Sequence, residues 1–157
     1  MPARTHPGCR MEVDVVTEIE IDRPRKEVAA YAIDPDNATT WYRNIKRVNR
    51  KAPGPLRVGS LITFEARFLG RTLAYTYAVR ELEQHERLVM ATAEGPFAME
   101  TIYEWSDTSS GGTRMILRNR GTPSGFSKWG APMMIAAMRR ANRKDLRRLK
   151  EICEDNT

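Results

Sequence analysis

From Val13 onward the chain alternates between apolar and polar positions. Val15, Thr17, Ile19 and Ile21 share one side of an extended segment, and Glu18, Glu20 and Asp22 share the other. A half-exposed first strand is predicted. Asp22 and Pro24 then mark a helix start, and the RKEVAAYA that follows has helical period and propensity. Asp34-Pro35 ends that helix, and Asp36 and Asn37 ahead of ATTWY predict a second short one finishing near Trp41 and Tyr42. From about Ile45 to Thr122 the chain reads as strands separated by turn signals at roughly ten-residue spacing.

The register of these strands is constrained, because a one-residue slip exchanges the two faces of a strand. A turn at Leu69-Gly70 sets Ile62 against Tyr77, Phe64 against Tyr75 and Ala66 against Leu73. Turns at Gln84-His85 and Gly95-Pro96 align Val79, Met90 and Thr101, and likewise Tyr77, Thr92 and Met99. A last hairpin centred on Ser109 pairs Tyr103 with Met115 and Thr101 with Leu117, and on its other face Glu104 with Arg114 and Glu100 with Arg118. All four turns agree on one apolar face. The opposite face carries Glu65, Arg67, Arg80, Glu100, Glu104, Arg114, Arg118 and Arg120, as expected of the watered side of an antiparallel sheet.

A helical pattern then runs from Phe126 to about Glu154, roughly 28 residues or about 42 Å, with Pro132 either kinking it or marking its true first turn. Ile135, Met138, Asn142, Leu146, Leu149 and Cys153 form one stripe, and Arg139, Arg140, Arg143, Lys144, Arg147 and Lys150 cover much of the rest. The predicted architecture is α+β: a curved seven-stranded antiparallel sheet, two short helices after the first strand, and a long C-terminal helix packed across the concave face. Residues 1–12 are expected to be a flexible tail and 13–155 a single domain. A strongly twisted sheet curls, and one helix of about 10 Å diameter does not fill the trough beneath it. Either bulky side chains close the gap or a cavity remains. The inward positions hold Phe64, Phe68, Tyr75, Tyr77, Met90, Met99, Tyr103, Met115 and Leu117, with Trp129, Met133 and Met134 near the start of the helix. Large, soft side chains of this kind serve both ordinary cores and adaptable pockets.

Composition narrows the function classes. The 157 residues include 26 Lys+Arg and 20 Asp+Glu, net +6, but residues 1–125 carry 18 basic and 16 acidic side chains against 8 and 4 in residues 126–157. The excess belongs largely to the C-terminal helix. On an amphipathic helix such cations usually solvate the outer face; contact with an anionic membrane or with nucleic acid are the alternatives, and no stacking platform favours nucleic acid. No apolar stretch approaches the roughly 18 residues needed to span a bilayer, and the N-terminus lacks an export signal, so a cytoplasmic protein is expected. Cys9 and Cys153 are then expected as free thiols.

The strand-Pro-helix opening IDRPRKEVAAYAIDPDNATTWYRNIKRV, then GPLRVGSLITF with its Gly59, then YEWSDTSSGGTRMIL ahead of a long terminal helix, resembles the polyketide cyclase/dehydrase branch of the START-like (SRPBCC, helix-grip) superfamily over about residues 13–153. The resemblance implies a helix-grip fold with a deep apolar cavity between sheet and helix that takes a lipid-like, polyketide-like or other hydrophobic ligand. It also implies that Trp41, Tyr42 and the 122–130 loop stand near the entrance. It transfers no mechanism, since members of the superfamily do not share one catalytic constellation.

Catalytic motifs are sparse. There is no G-x-S-x-G, H-E-x-x-H, C-x-x-C, Walker A or G-x-G-x-x-G, and the two histidines, His6 and His85, fall in the tail and in a predicted turn. No metal site and no cofactor are expected. The inward polar groups Thr92, Thr101 and Asn119, with the hydroxyls of Tyr75, Tyr77 and Tyr103, are the candidates to orient a ligand carbonyl or hydroxyl, or to act as a general acid in a cyclisation or dehydration. Three readings follow: binding of a small hydrophobic molecule in a void of roughly 300 Å³ or more, a cofactor-independent cyclase or dehydratase, or an interaction protein using the basic helix.

Overall fold

The computed structural model describes residues 12–123 and 130–155. Strand β1 (Val13–Ile21) leads into α1 (Arg25–Ile33), a 3-10 turn at Pro35–Asn37 and α2 (Ala38–Trp41). The meander β2 (Ile45–Arg50), β3 (Leu61–Phe68), β4 (Arg71–Glu83), β5 (Arg87–Glu94), β6 (Met99–Asp107) and β7 (Thr113–Gly121) follows, and α3 (Ala131–Asp155) closes the fold. The sheet order is β1-β7-β6-β5-β4-β3-β2, antiparallel at every described pairing. β1 alternates as its sequence does, with Val13, Val15, Thr17 and Ile21 buried and the acidic positions between them outside. The sheet curls around α3, the α+β helix-grip arrangement.

Three local expectations need correction. Asp22 does not cap α1; Pro24 occupies the cap position with no side-chain hydrogen bond, and the Asp22 backbone N–H donates to Glu154 Oε1 at 2.9 Å. The β4–β5 loop is three residues, not two. His85 at its centre takes φ +62°, and the extra residue is absorbed by a bulge at Arg80, between the Val79–Met90 and Glu81–Val89 pairs. The inner face from Tyr77 to Val79 therefore keeps its partners Thr92 and Met90.

The β6–β7 hairpin is centred one residue later than expected. Asp107 pairs with Thr113, so Tyr103 faces Leu117, Thr101 faces Asn119 and Trp105 faces Met115. The cause lies in the loop: Thr108 N–H donates to the Gly112 carbonyl at 3.0 Å, the Thr108 hydroxyl accepts from Gly112 N–H at 2.9 Å, and Gly111 takes φ +83°. Each partner moves by two, so no side chain changes face. The charge pairs do change. Glu100 meets Arg120 at 2.6 Å, Arg118 turns to Asp14 on β1 at 2.5 Å, Arg114 pairs with Glu18, and Glu104 accepts from Arg87 at 2.7 Å.

The α3 stripe is buried at Asn142, Leu146, Leu149 and Cys153, and also at Met134 and Asp145. Pro132 sits in its first turn rather than at a kink. Lys150 is not a free surface cation: its Nζ donates to the Glu20 carbonyl at 2.9 Å and to Glu154 at 2.5 Å, fastening the end of α3 to β1. The interior divides into two apolar clusters. The larger joins α1, α2 and the C-terminal half of α3 to the sheet through Val28, Trp41, Trp105, Leu146 and Leu149. The smaller, at the other end, is built on Val13, Leu73, Tyr75 and Met134.

Candidate functional site: an apolar cavity under the terminal helix

Between the two clusters lies a cavity of about 190 Å³. Of the expected residues, β3 and β4 contribute Phe64, Phe68, Tyr75 and Tyr77, and β5 contributes Met90. Met99, Thr101 and Tyr103 of β6, Asn119 of β7 and Met134 of α3 complete that set. They meet because alternate residues of adjacent strands share the concave face, and the register sets Tyr77 beside Phe64's strand and Thr101 beside Met90. The ring centroids of Phe64 and Tyr77 lie 5.8 Å apart, and those of Tyr75 and Phe97 5.5 Å, both edge-to-face.

Other expected residues stand elsewhere. Trp41 is buried in the larger cluster and faces a separate groove between α2 and α3. Met115 and Leu117 are fully buried in the core and do not reach the cavity. The Thr92 hydroxyl is tied to β6, donating to the Met99 carbonyl at 2.9 Å and accepting from Met99 N–H at 3.0 Å, and it does not line the cavity. Met133 is 55% exposed, because one residue from Met134 on a helix is about 100° around the axis. Trp129 and most of the 122–130 loop lie outside the described residues. The volume is also smaller than the roughly 300 Å³ expected.

Several wall residues escaped the sequence reading. Tyr42 was placed only at the entrance; its hydroxyl in fact meets that of Tyr103 at 2.5 Å. Asn142 and Asp145 form a polar corner with this pair. Asn142 interrupts an apolar helical stripe, which is a signal in itself; Asp145 sits beside the stripe and reads as one more surface charge. The residue is only 3% exposed, and Oδ1 accepts the backbone N–H of Arg43 at 3.0 Å. Burial pushes the Asp145 carboxyl up to about 6, against the opposing pull of that hydrogen bond. Burial likewise holds the phenols of Tyr42, Tyr103 and Tyr77 above their ordinary range, the Thr101 and Thr92 hydroxyls pulling Tyr77 back in part. Tyr75 is raised for the same reason. At neutral pH these phenols are hydrogen-bond donors. The Asn142 Nδ2 has no hydrogen-bond partner.

Among the described residues no group of His, Cys, Asp and Glu is placed to hold a metal ion, and no helix is long and apolar enough to cross a membrane. Cys153 is a free buried thiol, pushed up to about 11 by burial. Arg139, Arg140, Arg143, Lys144 and Arg147 lie exposed on the outer side of α3.

Residues 12–154 match the family model for polyketide cyclase / dehydrase and lipid transport. The chain belongs to this family. Solved structures with the same fold include a protein of Thermus thermophilus, 17% identical, covering 92% of this chain and 99% of that one with a TM-score of 0.78. A START superfamily protein of Mycobacterium smegmatis is 13% identical, with coverage of 92% and 99% and a TM-score of 0.77. The Zhui aromatase/cyclase of Streptomyces sp. R1128 is 14% identical, with coverage of 91% and 94% and a TM-score of 0.74. At such identities the likeness is one of fold. No curated protein matches the chain. Membership in the polyketide cyclase / dehydrase and lipid transport family accounts for the curled sheet over one long helix, and marks the domain as a ligand-binding one.

Proposed function

We propose that this protein binds a small hydrophobic molecule, lipid-like or polyketide-like, in the cavity between the sheet and α3. The observation that carries the reading is an apolar void left between two packed clusters, where ordinary core packing leaves few spaces larger than a water. Apolar burial supplies most of the affinity, about 25 cal/mol per Å² removed from water. The present volume of about 190 Å³ suits one or two fused rings or a short chain, given that roughly 150 Å³ accepts benzene.

Thermal unfolding in the presence of tetralin tests this. A ligand held by the native state raises the melting temperature in a saturable way. Replacing Ala141 or Ala66, both on the wall, by phenylalanine fills the space and removes the rise. No rise in the unmodified protein, or an equal rise in both filled variants, contradicts the proposal.

A second reading, a cofactor-independent cyclase or dehydratase, draws on Asp145: a carboxyl near 6 beside neutral phenols is a usable acid and base. Tyr75, Tyr77 and Tyr103 are its general-acid candidates. With a linear poly-β-ketone thioester as substrate, Y75F, Y77F, Y103F and D145N are made singly. At least one abolishes turnover while binding persists; unchanged turnover in all four removes this reading.

A further inference from the structure

The polar corner of the cavity holds hydrogen-bond donors that no described partner uses. The hydroxyls of Tyr42 and Tyr103 meet at 2.5 Å and carry two protons between them, of which their mutual bond uses one. Asn142 is 8% exposed, lines the cavity, and keeps its Nδ2 without a partner. A buried amide donor left unpaired is costly, and native proteins rarely retain one without a use. The nitrogen is closed to water where it stands, so solvent does not satisfy it. The terminal torsion of an asparagine is soft, and a half-turn exchanges the nitrogen and oxygen of the amide on the wall that the residue forms.

We propose that Asn142 recognises an oxygen acceptor on the ligand, and that the ligand is an uncharged, largely apolar molecule bearing a carbonyl group. A carbonyl oxygen has two lone pairs, one for the Asn142 amide and one for the remaining proton of the Tyr42–Tyr103 pair. An anion is disfavoured in this corner. Asp145 lies one helical turn from Asn142 on the same side of α3, and the burial that holds back ionisation of Asp145 and the phenols acts equally on a bound carboxylate. Asn142 is thus a specificity residue, inert toward the apolar part of the ligand. This inference rests on the cavity reading above.

The test uses two probes of nearly equal shape, 1-tetralone and tetralin, titrated calorimetrically into the full-length protein. The ketone is expected to bind tighter by about tenfold for each of its two hydrogen bonds, to Asn142 and to the tyrosine pair. N142L should lower the ketone's advantage over tetralin by about tenfold, the share of one hydrogen bond. The carbonyl stretch of bound 1-tetralone, lowered in the unmodified protein, should rise in the variant. Should N142L not fold, N142A serves the same comparison. Equal affinity for the two probes, or a ratio that N142L or N142A leaves untouched, overturns the role of Asn142 while the cavity reading stands. Absence of binding by either probe overturns both.

Discussion

The buried carboxylate of Asp145 accepts the backbone N–H of Arg43 at 3.0 Å, joining α3 to the segment between α2 and β2 across 102 residues of sequence. One wall of the cavity is therefore held by a group whose charge changes near neutral pH.

That charge has a measurable cost. The native carboxyl titrates at about 6 against 3.8 for its ordinary value. Between these pH values the folded chain holds more proton at Asp145 than the unfolded chain does, so its contribution falls as pH rises through the window and is most favourable below about 4. Over the whole window the loss is roughly 3 kcal/mol. Asp14 and Glu154, held low by hydrogen bonds from Arg118 and Lys150, respond with the opposite sign and lose stability as pH falls. Comparing urea unfolding of D145N with the parent cancels those groups. The variant should gain relative stability from pH 4 to pH 7.5; a difference that is flat with pH contradicts the buried-charge account.

The phenols should behave as donors over the whole usable alkaline range. Tyr42, Tyr75, Tyr77 and Tyr103 are all raised by burial. In a spectrophotometric titration followed at the phenolate band, their ionisation should appear only together with loss of near-ultraviolet circular dichroism. Reversible ionisation of all tyrosines near pH 10 in the folded protein would show that the cavity wall is open to water.

Gly121 is required by close approach. A Cβ there would stand 2.2 Å from the Ala98 carbonyl oxygen and 2.9 Å from Met99 Cα, both backbone atoms that cannot step aside. Gly121→Ala should cost about 2–3 kcal/mol, toward the upper range for overpacking, lowering the melting temperature by several degrees. Gly70→Ala, which meets nothing within 4 Å but sits at φ +79°, should lose only about 1 kcal/mol from backbone strain. Equal losses in the two variants would contradict this distinction.

The sheet was legible because alternation and face are doubly determined. An error of one residue at the centre of the last hairpin moved each partner by two and left every side chain on its face, and the longer β4–β5 loop was offset by the bulge at Arg80. Charge partners were not legible to the same degree. Arg114 and Arg118 bond to β1, a strand adjacent to β7 only in space, and no turn in the sequence reports that neighbour. The cavity followed the same divide. Phe64, Tyr75, Tyr77 and Thr101 came from period-two patterning, whereas Asp145 and Tyr42 owe their inward placement to where α3 and α2 cross the sheet. Met133 and Met134 differ only by helical phase, which the sequence leaves open when the first turn contains a proline.

The methionine methyl groups test the central claim most directly, because they sample the cavity and its surroundings separately. In a methyl-labelled sample titrated with 1-tetralone, the resonances of Met90, Met99, Met134 and Met138, which line the cavity, should shift together and saturate at one equivalent. Those of Met115, buried in the core, and Met133, exposed to solvent, should stay in place. Saturating shifts at Met133 with none at Met90 and Met99, or no saturable shift at all, would contradict a ligand site between the sheet and α3.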